Sequence, residues 1–222
     1  MDSNELENVV FHPVLGHDLS REDFMDIDLS VNNDEIRGLD VVDDLDTFIK
    51  SHLSTYDKKV AIGGYGEERD FYWTSPLFKS DEEKRTIHLG IDLWTKPLTP
   101  IYAPLDAMVY GVTNNNLPLD YGYTVVLKHS IADNTFYSLY GHLSDQEIEK
   151  LEVGQRIKQG NIFCYIGYPE TNGGWAPHLH LQLIIDMEGN QDDYPGVCTK
   201  SMQSQYLHNC PSPEKLILAT AY

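Results

Sequence analysis

Ile87-His88-Leu89-Gly90-Ile91-Asp92-Leu93-Trp94 alternates apolar and polar positions. Successive side chains of a β-strand point to opposite faces, so an extended reading sets Ile87, Leu89, Ile91 and Leu93 against His88, Gly90 and Asp92. A strand that gives its second face to an imidazole, a carboxylate and an intervening glycine points to something bound there. The same alternation in Pro177-His178-Leu179-His180-Leu181-Gln182-Leu183 places His178, His180 and Gln182 opposite Leu179, Leu181 and Leu183. Two imidazoles two residues apart on a strand either meet one metal ion or divide the work, one binding while its neighbour handles a proton. In a third segment, Phe136-Tyr137-Ser138-Leu139-Tyr140-Gly141-His142-Leu143, Tyr140 and His142 share one side near a strand end, where Gly141 permits a bend.

Outward from these segments, the chain from Lys59 onward is a series of short β-type runs separated by Gly, Pro, Asn and Asp. Thr86–Trp94 reads as one strand, and further strands fall at Lys59–Ile62, Pro100–Tyr102, Ala107–Thr113, Thr124–His129, Thr135–Gly141, Gln155–Ile157, Asn161–Ile166 and His178–Asp186. Strands of this length and spacing predict a mainly β fold, an antiparallel β-sandwich or rolled sheet, and not a βαβ architecture. A helical turn is expected around Asp145–Leu151. Before Lys59 the texture differs. Val41, Val42, Leu45, Phe48, Ile49 and Leu53 recur at three- and four-residue intervals, which predicts an amphipathic helix over 40–54. A shorter helix is expected near 20–27. The chain divides into an acidic, partly helical N-terminal extension (1–58), a β-rich domain (59–194) and a C-terminal tail (195–222) that packs back through Leu216, Ile217 and Leu218.

The formal net charge of the 222 residues is −19, with a pI near 4.6. The extension holds 15 of the 35 acidic residues and 4 of the 16 basic ones. That balance argues against a nucleic-acid partner or attachment to anionic membranes or cell walls, all three of which favour basic surfaces. No apolar run approaches the roughly 18 residues of a membrane span. Met1-Asp2-Ser3-Asn4-Glu5 lacks the positive head and apolar stretch of a secretory signal, which predicts a cytoplasmic location, with export by a leaderless route as the alternative. Cys164, Cys198 and Cys210 form no C-x-x-C pair and read as free thiols in a reducing compartment. His129 reads as structural, and His12, His17, His52 and His208 as solvated. Tyr121, Tyr123, Tyr168 and Trp175 flank the predicted groove as candidate lining or as packing. Gly63-Gly64-Tyr65-Gly66 reads as a turn, since no Gly-Lys-Ser/Thr follows it.

Together, His88-Leu89-Gly90-Ile91-Asp92, Tyr140-Gly141-His142-Leu143 and His178-Leu179-His180 resemble the ordered motifs of the lysostaphin-type zinc metallopeptidases, β-rich endopeptidases that cut peptide cross-links in peptidoglycan. Tyr102-Ala103-Pro104, Asp120-Tyr121-Gly122, Val125-Val126-Leu127-Lys128-His129 and Val153-Gly154-Gln155 agree in order and spacing, so the resemblance covers about Thr86 to Ile185. It implies the family's duplicated hybrid motif fold. By the same resemblance His88, Asp92 and His180 match the zinc ligands, and His142 and His178 match the pair of catalytic histidines. Residues 59–194 then form the metallopeptidase-like catalytic domain.

Two imidazoles and one carboxylate leave a fourth corner of tetrahedral Zn²⁺ for water, as a catalytic site requires. Of the two further histidines, His178 is read as the general base and His142 as the oxyanion or water-orienting group. The implied substrate is a peptide or peptidoglycan-like molecule. The alternatives are a non-catalytic zinc- or peptide-binding module, a phosphocarrier, and a cytosolic hydrolase of a non-wall substrate. This last reading rests on a similarity to leaderless members sometimes fused to aminotransferases. The extension reads as packing support, with a latch over the groove as its alternative. Four positions depart from the family pattern: Leu98 stands where a glycine is common, Ala107 replaces the glycine after Asp106, Tyr123 replaces a frequent asparagine, and Leu181-Gln182 replaces Phe-Glu. None removes a metal ligand.

Overall fold

In a computed structural model of the chain, residues 9–40, 43–70 and 83–218 are described. The fold is mainly β. Twelve strands occur among these residues: β1 (Phe24–Ile27), β2 (Val60–Gly63), β3 (Arg85–His88), β4 (Ile91–Trp94), β5 (Pro100–Tyr102), β6 (Ala107–Asn115), β7 (Gly122–Ile131), β8 (Asn134–Leu143), β9 (Arg156–Ile157), β10 (Ile162–Tyr165), β11 (His178–Ile184) and β12 (Val197–Thr199). Eight of them form one sheet in the order β1-β2-β4-β11-β8-β7-β6-β9, while β5 pairs with β10 and β3 with β12. The long neighbours β6, β7, β8 and β11 are antiparallel. Strand-to-strand alternation sorts the core. Val125, Leu127, Leu179, Leu181 and Leu183 join the cluster on one face, while Val126, Leu139 and Ile184 join that on the other. At β11 and the middle of β7 both faces are buried, so these stretches carry apolar residues on both sides.

Two elements differ from the sequence reading. The expected strand Thr86–Trp94 is broken at Leu89-Gly90, because β3 pairs with β12 whereas β4 pairs with β2 and β11. The region near 20–27 is a 3-10 turn (Arg21–Asp23) followed by β1, not a helix. Parallel pairing with β2, from Phe24↔Val60 to Ile27↔Gly63, buries Phe24 and Ile27 and overrides local propensity. With the helix α1 (Asp43–Thr55) between them, β1 and β2 make one β-α-β unit inside a mainly antiparallel protein.

Helix α1 starts at a reciprocal cap: the Asp43 amide donates to Asp40 Oδ1 at 3.2 Å, and the Asp40 amide donates to Asp44 Oδ2 at 3.0 Å. Its buried residues Leu45 and Ile49 pack with Ile27, Leu29, Ala61, Trp94 and Ala176. Each such side chain contributes about 1.5–3 kcal/mol when fully buried. The extension is thereby fixed against the edge of the sheet that carries β4. The expected tail contains β12 and a second helix, α2 (Gln203–Asn209), and returns to the core through Leu216 and Ile217, with Leu218 half-buried beside them. All three cysteines are buried free thiols. Among the described residues no helix is long and apolar enough to cross a membrane.

Candidate metal centre

His88 ends β3, Asp92 is the second residue of β4 and His180 the third of β11, with His180 directly opposite Asp92 in the β4–β11 pairing. Cross-strand pairing thus joins two of the three side chains, and the bend at Leu89-Gly90 swings the third toward them. Gly90 is needed for space: a Cβ there would sit 2.6 Å from Leu181 O and 2.7 Å from His180 Cε1. The resulting triangle is tight. His88 Nε2 lies 3.0 Å from His180 Nδ1 and 3.2 Å from Asp92 Oδ1, and His180 Nδ1 lies 3.1 Å from Asp92 Oδ1.

The outer atoms of each ligand are also held. His88 Nδ1–H donates to Gly64 O at 2.9 Å, so Nε2 is the free nitrogen. His180 Nε2–H donates to Gln182 Oε1 at 3.0 Å, so Nδ1 is free, and the Gln182 amide in turn donates to Pro195 O at 3.1 Å. Asp92 Oδ2 accepts from Arg69 Nη1 at 2.6 Å, leaving Oδ1 toward the imidazoles. Burial and the nearby Arg69 guanidinium hold His88 neutral, its pKa lowered to about 4. Burial opposes the charge on Asp92, but His88 and Arg69 outweigh it and hold the carboxyl well below the usual carboxylate range.

The donor set suits a zinc ion. One ligand atom from each of His88, Asp92 and His180 lies within 4.8 Å of the others. Ligand distances of about 2.0–2.1 Å in a tetrahedral zinc site correspond to donor separations of about 3.3 Å, close to those found here. The Asp92 carboxylate brings negative charge to the point where the three donors meet, which favours a cation.

His142 and His178 stand beside this triangle. His178 Nδ1–H donates to Ala176 O at 2.7 Å and His142 Nδ1–H to Asn172 O at 2.9 Å, so each keeps an unprotonated Nε2. His178 Nε2 is 3.8 Å from Asp92 Oδ1. Trp94 stacks on the His178 ring with centroids 3.9 Å apart. Burial lowers the His178 pKa to about 4 and that of His142 well below its ordinary value. His142 adopts φ +62°, a left-handed conformation that costs a non-glycine residue about 1–2 kcal/mol and often marks a functional position.

All five sequence-derived candidates line one cavity of about 290 Å³. Tyr121 and Trp175 line it too, whereas Tyr123 and Tyr168 do not. Tyr121 Oη donates to Tyr194 O at 3.2 Å and lies 3.5 Å from His180 Nε2. His12, His17, His52 and His208 lie outside it, as does His129, which is buried against Ser138. None of the described residues before position 59 lines the cavity. The sequence reading missed Arg69, Glu67 and Trp94. Trp94 had a local signal, ending the motif strand on the same face as Asp92; Arg69 had none, since its partner is 23 residues away.

No curated protein matches the chain. Solved structures similar to it include a zinc-containing peptidase from Vibrio cholerae (25% identity, 49% of this chain and 31% of that one, TM-score 0.37). Others are a catalytic-domain mutant of the prophage-encoded M23 protein EnpA from Enterococcus faecalis (26%, 53% and 82%, 0.39) and the catalytic domain of lysostaphin from Staphylococcus simulans (21%, 52% and 77%, 0.37). The chain therefore spans about a third of the Vibrio cholerae protein. Residues 86–192 match the family model described as Peptidase family M23. Over that segment, with its His-x-Gly-x-Asp and His-Leu-His motifs joined in one cavity, the chain is similar to peptidase family M23.

Proposed function

We propose that this protein is a zinc-dependent metallopeptidase that hydrolyses a peptide or amide bond, with peptidoglycan-type peptides as its substrate class. The observation that carries the reading is the meeting of three buried donor atoms beside two further imidazoles whose Nε2 atoms are unprotonated. His88 Nε2, Asp92 Oδ1 and His180 Nδ1 would hold the metal. When bound, zinc supplies a Lewis acid that polarises the scissile carbonyl and brings the pKa of water from about 15.7 to near 7.

The rest is work for the chain. His178, fixed by Ala176 O and by stacking on Trp94, takes the proton of the attacking water at Nε2 and passes it to the leaving amine. His142, fixed by Asn172 O, orients that water by accepting a hydrogen bond from it at Nε2. Tyr121 and Trp175 wall the cleft and limit the volume open to solvent. The test is cleavage of glycine-rich and D-alanyl peptides by the zinc-loaded protein. Turnover by the native protein and a loss of about 10²–10⁴-fold in His178→Ala at equal zinc content is the expected result. Equal hydrolysis by both would refute the assignment.

A further inference from the structure

Arg69 precedes the family-matching segment, yet its side chain is built into the metal centre. It is 1% exposed. Its Nη1 donates to Asp92 Oδ2 and its Nε to Glu67 Oε2, both at 2.6 Å, and Glu67 Oε1 accepts the Leu29 amide at 3.0 Å. The backbone of the same strip is zipped to β3, the strand that carries His88: Arg69 N–H donates to Thr86 O at 2.8 Å and His88 N–H to Glu67 O at 2.9 Å. Space is reserved for the guanidinium by Gly63, which pairs with Asp92 and whose added Cβ would lie 2.8 Å from Arg69 Nη2.

We propose that Arg69, braced by Glu67, is a positioning residue of the metal centre: it occupies Oδ2 of Asp92, so that the carboxylate offers the metal Oδ1 alone. The inference rests on the zinc-site reading above. A buried ion pair is weak evidence for stability, because desolvating both charges offsets their attraction. A planar fork aimed at one carboxylate oxygen does serve orientation, and groups that orient metal ligands typically set metal affinity by 10–100-fold. Holding Asp92 to one oxygen keeps the protein's contribution at three donors and reserves a corner of the tetrahedron for solvent. By this route residues before the peptidase segment are part of the site, through Glu67, Arg69 and the Leu29 amide.

Arg69→Lys tests this, since it keeps the positive charge and removes the fork. Zinc affinity is measured by competition with a chromophoric chelator, and coordination by the visible bands of the cobalt(II)-substituted protein. The expected result is a zinc affinity roughly 10–100-fold weaker and cobalt bands several-fold less intense, as for five-coordinate instead of tetrahedral metal, at a near-native unfolding midpoint. Native affinity and native bands in Arg69→Lys would overturn the proposal. If Arg69→Lys does not fold, Glu67→Gln carries the same readouts, with changes in the same direction expected and unchanged values overturning it. Native protein that binds neither metal would refute the zinc reading itself, a failure distinct from tight binding that is indifferent to Arg69.

Discussion

The imidazole rings of His142 and His178 lie 4.2 Å apart between centroids, each with Nδ1 committed to a backbone carbonyl. Neither supplies an atom to the triangle of His88, Asp92 and His180. His142→Ala and His178→Ala are therefore expected to bind zinc like the native protein and to lose kcat/KM by about 10²–10⁴-fold, the usual worth of a positioned acid or base. Metal analysis and peptide kinetics on the same preparations check this. Zinc lost along with activity would move these residues into the ligand set.

Gly90 gives a steric test. The atom nearest to an added Cβ is a backbone oxygen, Leu181 O, at 2.6 Å, and it cannot rotate away. Gly90→Ala should force β4 and β11 apart beside His180, with a stability loss of about 1–3 kcal/mol and weakened zinc binding. Denaturant unfolding and zinc titration read the two effects. A variant as stable and as tight as the native protein would mean that the bend is looser than described.

His129 gives a pH test away from the site. It is buried between β7 and β8 against Ser138 Oγ at 2.6 Å, and burial lowers its pKa to about 4 despite the opposing hydrogen bond to Asp106 O. The neutral form is favoured in the folded state, whereas the unfolded chain protonates near 6.5. Stability is thus full above pH 6.5 and falls as pH drops toward 4, by on the order of 3 kcal/mol for a shift of this size. His129→Gln removes this dependence while the other histidines remain. Urea unfolding from pH 7 to pH 4.5 should show the native protein losing more stability than the variant; parallel losses would contradict the burial argument.

The parts of the site that could be read from the chain are those set by local alternation. His178, His180 and Gln182 fall opposite Leu179, Leu181 and Leu183 because a strand repeats every two residues. The amphipathic pattern likewise located α1, expected over 40–54 and observed as Asp43–Thr55; Asp40 lies outside the helix as its cap, and residues 41 and 42 lie outside the described residues. What could not be read depends on distant partners. The break after β3 follows from the position of β12, more than a hundred residues on, and β1 is a strand only because β2 lies beside it. Arg69 meets Asp92 through strand pairing that no local window contains. Leu98 is intermediate: it departs from a common family glycine, and its φ of +61° shows why glycine suits the position.

The most direct measurement is zinc stoichiometry and affinity for the native protein beside Asp92→Ala and His88→Ala. The account predicts about one tightly held zinc per native chain and a loss of binding in both variants. Native protein without zinc, or variants that retain it, would contradict the account at its centre.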